Sequence, residues 1–202
     1  MSGLFFWYNG IMTTLLKNVF SDKEITLLYK TMACFAGQGN EIKESGRYIV
    51  ASTQFLDIPG FKEILNKIET ICGEATNRKL KAATSGFHLY KKAHGNPFLP
   101  PHIDDYVGEV VFDYQLDSTI DWPVKVDKEL YHLQDNDAVV FEGETVPHSR
   151  PENQFIEFEY VLMFIVNMYG EDHWFNYGVT NPKSKEEIDR QIKTIREDKE
   201  NW

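Results

Sequence analysis

The sequence predicts a mostly β, α+β protein, with helices first, then an antiparallel sandwich or barrel, then one charged helix. Three observations predict this. Two amphipathic segments with helix-start signals lie before residue 80, short strand-like runs separated by turn residues follow from about residue 98, and a charged segment with a thin apolar stripe comes last. The length of 202 residues fits one domain, and a 42% hydrophobic fraction can bury a core of that size. The 14 Phe and 10 Tyr favour strands over a helical bundle.

The first helix begins at Ser21-Asp22-Lys23-Glu24, a capping box in which Ser21 caps and Glu24 reaches back. Ile25, Leu27, Leu28, Met32 and Phe35 recur at helical spacing, and Gly37 stops the segment. Pro59, a favoured first helical residue, opens the second helix, which carries Phe61, Ile64, Leu65, Ile68 and Ile71. Between the two, Arg47 to Phe55 has strand composition. Gly86 to Lys92 follows as another strand, with Phe87 and Leu89 on one side and His88 and Tyr90 on the other. Further strands are expected at Val107–Leu116, Trp122–Val126, Leu130–Leu133, Ala138–Glu142 and Phe155–Met168, with Asp/Asn/Gly-rich turns between them. Ser184-Lys185-Glu186-Glu187 caps a last helix that contains Ile188, Ile192 and Ile195. The expected plan is a helical part to about residue 80, a β core over about 84–170, and a helix over about 184–199.

A net charge of −10 argues against a general nucleic-acid binder, which needs clustered Lys and Arg to neutralise phosphates. Two cysteines, Cys34 and Cys72, are too few for a disulfide framework, so a reduced, cytoplasmic protein is expected. The apolar Phe5-Phe6-Trp7-Tyr8 lacks a preceding basic residue and is interrupted by Asn9-Gly10, unlike a signal sequence. No stretch is long and apolar enough to suggest a membrane helix.

The chemistry concentrates at Pro100-Pro101-His102-Ile103-Asp104-Asp105. Along a strand, residues two apart share a face, so His102 and Asp104 can converge on one ion. His148, in Val146-Pro147-His148-Ser149-Arg150, is the best third ligand. It follows the strand-like Asp137-Ala138-Val139-Val140-Phe141 and precedes the apolar run from Tyr160 to Val166. Two imidazoles and a carboxylate occupy one face of an octahedron and leave three adjacent positions open, the arrangement of non-haem Fe(II) oxygenases. Read alone, His-x-Asp also fits a strand end followed by a turn.

The stretch from Phe87 to Val166 resembles the core of the 2-oxoglutarate/Fe(II)-dependent dioxygenase superfamily, near its prolyl-4-hydroxylase-like branch. Phe87 to Lys92 followed by His102-Ile103-Asp104 is similar to that branch's strand, loop and His-x-Asp. Leu133 to Phe141 resembles its turn and strand before the distal histidine, with Asn136 where the family often has Gly. The resemblance implies a double-stranded β-helix (jelly-roll) core and Fe(II) held by His102, Asp104 and His148. It also implies 2-oxoglutarate as cosubstrate, converted with O₂ to succinate and CO₂ while a substrate is oxidised, usually by hydroxylation.

The sequence departs from the family at one functional position. A basic residue usually lies about ten residues past the distal histidine and pairs the far carboxylate of 2-oxoglutarate; here that stretch is Ile156-Glu157-Phe158-Glu159-Tyr160. Strand alternation would turn Glu157 and Glu159 outward and Phe158 and Tyr160 inward. Replacement cosubstrate contacts are Arg150, two residues past His148, then Lys125, with Tyr90 donating its phenol. A salt bridge for Arg150 and a structural role for Tyr90 are the alternatives. His88 reads as a sheet residue and His94 as a loop residue at the mouth of the site; His132 and His173 carry no spacing signal. Trp174 to Gly178 could line a pocket or pack the last helix. The substrate class expected is a small molecule or an amino-acid or peptide side chain. A cupin-like metal protein that does not use 2-oxoglutarate is the main alternative, and a ligand-binding sandwich without a metal is the other.

Overall fold

Hydrophobic alternation along the strands places two different environments on the two faces of one large sheet. The computed structural model describes residues 4–8, 11–38, 42–44, 46–104 and 108–171. In chain order these form β1 (Leu4–Tyr8), β2 (Ile11–Leu16), α1 (Asp22–Phe35), β3 (Ile42–Glu44), β4 (Arg47–Ala51), α2 (Phe61–Thr76) and β5 (Leu80–Lys91). Then come β6 (Leu99–His102), β7 (Val110–Ser118), β8 (Val124–Val126), β9 (Glu129–Tyr131), β10 (Asp137–Phe141), β11 (His148–Arg150) and β12 (Tyr160–Gly170). The large sheet has the order β1-β2-β10-β7-β12-β5-β4-β3, and a small sheet has the order β6-β11-β8-β9. All pairings are antiparallel. From β5 onward the chain passes back and forth between the sheets, with β8 and β9 a hairpin within the small one, which brings β6 and β11 together although much sequence separates them.

Val110, Phe112, Tyr114 and Leu116 of β7 join Phe87, Val140, Leu162, Phe164 and Val166 in a core that also holds Leu28 of α1 and Phe61, Ile64 and Ile68 of α2. The intervening Val111, Val139, Phe141, Val161 and Met163 pack instead with Val124 and Val126 of the small sheet. The two sheets therefore face each other, and both helices cover the outer side of the larger one. Each buried large apolar side chain contributes roughly 1.5–3 kcal/mol.

The capping box forms as expected, with the Glu24 carboxylate accepting from the Ser21 backbone N–H at 2.7 Å. Glu24 also pairs with Lys67 of α2 at 2.8 Å, tying the helices together. Asn136, where the family often has Gly, has a left-handed backbone, φ 69°. Its side chain is bonded to both the N–H and the carbonyl of Phe20, at 2.7 and 2.8 Å.

Several element boundaries differ from the sequence reading, each for a local reason. Pro59 lies outside α2 because Gly60 takes a left-handed backbone (φ 89°) and serves as the N-cap. The strand read over Arg47–Phe55 ends at Ala51, where Ser52 caps a short 3₁₀ turn over Thr53–Asp57. The part before residue 80 holds four strands besides the two helices, with β1 and β2 forming a hairpin that extends the large sheet. β12 starts at Tyr160 rather than Phe155, because Glu159 closes a turn by accepting from the Ile156 N–H at 2.8 Å. Phe158 is consequently 74% exposed rather than inward, while Phe155 is buried against Trp122. The helix expected over 184–199 and the Trp174–Gly178 segment lie outside the described residues. Among the described residues, no helix is long and apolar enough to cross a membrane.

Candidate metal centre

β6 and β11 are neighbours in the small sheet, and His102 and His148 are direct register partners across them. Their rings lie 4.2 Å apart, centroid to centroid. Asp104 is not on the strand, as the alternation argument had it, because β6 ends at His102. A backbone bond from the Asp104 N–H to the Gly143 carbonyl, 2.9 Å, folds the chain back instead. Asp104 Oδ1 then lies 3.8 Å from both His102 Nε2 and His148 Nε2. One ligand atom from each of the three residues falls within 4.8 Å of the others. These three side chains would hold a metal ion if their ligand atoms drew closer together on binding.

The histidine chemistry suits this role. Nδ1 of His102 faces the Pro100 carbonyl at 2.8 Å, and Nδ1 of His148 faces the Val146 carbonyl at 3.1 Å. A carbonyl only accepts, so the proton of each neutral ring belongs on Nδ1 and the Nε2 lone pair is left for a metal. Burial lowers both histidine pKa values, and for His102 the neighbouring His148 adds to the effect, so both rings favour the neutral ligand form. Glycines make room for the carboxylate. A Cβ at Gly143 would come within 2.5 Å of Asp104 Oδ2, and one at Gly108 within 2.8 Å of it. The Phe141 ring closes the far side of His148 at 4.7 Å.

Two residues along β11, Arg150 turns into the space between the sheets and is 1% exposed. Its guanidinium donates to the Trp122 carbonyl at 2.9 Å and to Asp113 Oδ2 at 3.1 Å, and stacks over the Trp122 ring at 5.2 Å. Tyr90, also 1% exposed, packs edge-on to Trp122, and its hydroxyl makes no well-formed hydrogen bond. Lys125 sits between Val124 and Val126, whose side chains fill the inter-sheet core, so alternation places it on the opposite face of β8.

The remaining histidines divide clearly. His94 stacks on Tyr48 at 5.5 Å, and the exposed His132 pairs with Asp121 at 2.7 Å. His173 lies outside the described residues. His88 has a buried Nδ1 with no partner, and burial together with the charges of Arg47 and Arg150 pushes its pKa down to about 3.

Sequence reasoning missed the buried polar residues Asp113 and Gln115. They had a visible signal: in Val111-x-Asp113-x-Gln115 the polar residues fall on the face that the flanking Phe112 and Tyr114 do not share.

No protein-family model matches the sequence, and no curated protein matches it significantly. Solved structures do match the fold. The epimerase SnoN, in complex with Fe3+, alpha ketoglutarate and nogalamycin RO, superposes with a TM-score of 0.63 at 10% identity, covering 86% of this chain and 87% of that one. HygX from Streptomyces hygroscopicus, with nickel and 2-oxoglutarate bound, gives 0.57 at 8% identity over 79% and 83%. A prolyl hydroxylase from Trichoplax adhaerens, in complex with a hypoxia inducible factor peptide fragment, gives 0.54 at 10% identity over 76% and 82%. At these identities the likeness is one of fold.

Proposed function

We propose that this protein is a non-haem, 2-oxoglutarate- and Fe(II)-dependent oxygenase of double-stranded β-helix fold, organised as a single domain. The observation that carries the reading is the His102–Asp104–His148 cluster, two neutral imidazoles from neighbouring strands and one carboxylate from the segment that follows β6. That donor set fits Fe(II) with open positions for a chelating cosubstrate and O₂. The chain's likeness in fold to one protein solved with Fe3+ and alpha ketoglutarate and to another solved with nickel and 2-oxoglutarate supports the same reading. When bound, iron with 2-oxoglutarate supplies the oxidising power, and succinate and CO₂ leave as products.

The chain's own residues then have separable tasks. His102, Asp104 and His148 hold the metal. Arg150 and Tyr90 face the space where the far carboxylate of the cosubstrate would lie, and the small sheet keeps that space dry. Lys125, on the other face of β8, is the weaker cosubstrate candidate. The substrate we assign is a small molecule or an amino-acid or peptide side chain, hydroxylated in the simplest case. The epimerase among the fold neighbours leaves room for another oxidative outcome, and a place in the prolyl-4-hydroxylase-like branch belongs to the same proposal. Cys34 and Cys72 are both free, which fits a reducing, cytoplasmic setting.

The deciding experiment loads the protein with Fe(II) anaerobically, admits air and 2-oxoglutarate, and follows succinate across a substrate panel alongside metal content. About one iron per chain is expected, lost together with turnover in His102→Ala and Asp104→Ala. Unchanged iron and turnover in both variants would overturn the metal assignment. Stoichiometric metal without succinate under any condition would favour the cupin-like alternative.

A further inference from the structure

We propose that the substrate carries an apolar arm, held in a cavity at the edge of β5 that β4 leaves uncovered, and a neutral hydrogen-bonding group, met by Asn167 between that cavity and the metal centre. This rests on the oxygenase reading and narrows the substrate class of that same site.

The cavity exists because β4 is shorter than its neighbour. β5 runs from Leu80 to Lys91, whereas β4 pairs only with Gly86 to Tyr90, and Ala51 is its last residue. Among the described residues no strand continues β4 along Leu80–Ser85. There a cavity of about 360 Å³ opens at the sheet edge, a size in the range of small-molecule sites. Phe55, Phe61, Leu65 and Ser85 line it from the helix side. Ala51 and Thr84 line it as well, and both lie on the inner face, since Ala51 opposes Gly86 and Thr84 opposes Asn167. The cavity therefore reaches round the edge of the large sheet onto the face turned toward the small one.

From Thr84 the register leads across the sheet to the metal centre. Thr84, Asn167, Val111 and Phe141 are successive partners on four neighbouring strands. Phe141 packs on His148 at 4.7 Å, and a Cβ at Gly143 would come within 2.6 Å of Val111 Cγ2 and 2.5 Å of Asp104 Oδ2. Val111 thus borders the carboxylate ligand, and Thr84 lies two strand spacings from it, about 10 Å. Burial falls away along this row: Phe141 and Val111 are buried, Asn167 is half-buried and Thr84 is exposed. A register shift beside Asn167 leaves Ala83 as an extra residue, a bulge of the kind that re-aims side chains next to active sites. Among the described residues neither the Asn167 amide nor the Thr84 hydroxyl has a hydrogen-bond partner. An uncharged amide both donates and accepts, so it suits a carboxamide or peptide group rather than an ion.

The test titrates unbranched primary amides, from acetamide to octanamide, calorimetrically into anaerobic protein loaded with Fe(II) and 2-oxoglutarate. Affinity is expected to rise about fourfold per added methylene until the cavity is filled. Leu56 lines the cavity and is 55% exposed, so Leu56→Asp places a charge there without emptying the core, and should flatten the rise. Asn167→Leu should weaken every member about fivefold while the rise with length persists. Once air is admitted, the amides that bind should raise succinate formation above the rate without them. A flat series in the unaltered protein would overturn the inference. So would an unchanged rise in Leu56→Asp, unchanged affinities in Asn167→Leu, or amides that bind without altering succinate formation, which marks a cavity apart from the chemistry. Each of these leaves the oxygenase reading standing; if the unaltered protein binds metal but not 2-oxoglutarate, that reading fails and this inference falls with it.

Discussion

The two faces of the large sheet are built from the same strands and behave differently. On the helix side β7 presents Val110, Phe112, Tyr114 and Leu116, and the one polar group among them, the Tyr114 hydroxyl, is bonded to Asn136 at 3.1 Å. On the side facing the small sheet it presents Val111, Asp113 and Gln115, and β5 adds His88 and Tyr90. Of the five buried side-chain atoms found without a hydrogen-bond partner among the described residues, those of His88, Tyr90, Asp113 and Gln115 lie on this second face. An unmet buried polar atom costs about 1–3 kcal/mol, so several gathered on one face are more economically read as groups awaiting a ligand than as packing errors. One face is packed almost wholly with apolar side chains, and the other combines an apolar core with unmet buried polarity.

The sharpest way to break this comparison is at Arg150. Arg150→Ala should raise the 2-oxoglutarate KM about tenfold or more while iron affinity holds, and Lys125→Ala should do much less. It should also destabilise the protein by roughly 3–5 kcal/mol, because Asp113 is left buried and unpaired. Adding Asp113→Ala should restore much of the stability without restoring cosubstrate binding. Thermal melts and steady-state kinetics on the single and double variants check both halves. If the double variant recovers cosubstrate affinity too, the pair is structural and the inner face is less functional than argued.

A smaller effect is expected where a glycine borders the carboxylate ligand. Gly143→Ala places a methyl group against Asp104 Oδ2 and also against the Gly108 carbonyl and Val111, and should lower metal affinity on the order of tenfold together with a lower melting temperature of the metal-free protein. Metal titration with a competing chelator reads this directly; unaltered affinity would show that the Asp104 carboxylate does not need its present position.

The smallest effect concerns pH. His88 is neutral in the fold down to about pH 3, whereas an exposed histidine takes up a proton near pH 6.5. Between these values the unfolded chain binds the extra proton, so stability is complete above about pH 6.5 and falls as the pH drops toward 3. In metal-free protein, His88→Phe should show a shallower loss of urea resistance between about pH 7 and 5 than the unaltered chain. Parallel curves would mean that His88 is solvated rather than held dry.

The helices were legible because their signals are local: Ser21 with Glu24, and Ile64, Ile68 and Ile71 at helical spacing, act within a few residues. The cluster of His102, Asp104 and His148 was legible because few residue types can hold a metal and the distal histidine follows a readable strand. What hid was what depends on register. β6 and β11 are four and three residues long, too short for periodicity to register, yet their pairing brings His102 to His148. The expectation that Phe158 points inward failed because the Ile156 N–H donates to the Glu159 carboxylate and the Glu159 N–H to the Ile156 carbonyl, which converts apparent strand into a turn.

β6 is an edge strand, and His102 is its last residue. An ion shared between His102 and His148 would therefore act as a rivet at the free border of the small sheet, closing the whole loop of chain from 102 to 148 at its base. Closing a long loop removes conformational freedom mostly from the unfolded chain, so the metal's binding energy would also become folding energy. Iron supply would then set how long the protein lasts as well as how fast it works, with the border beside His102 the first part to loosen when the metal is lost.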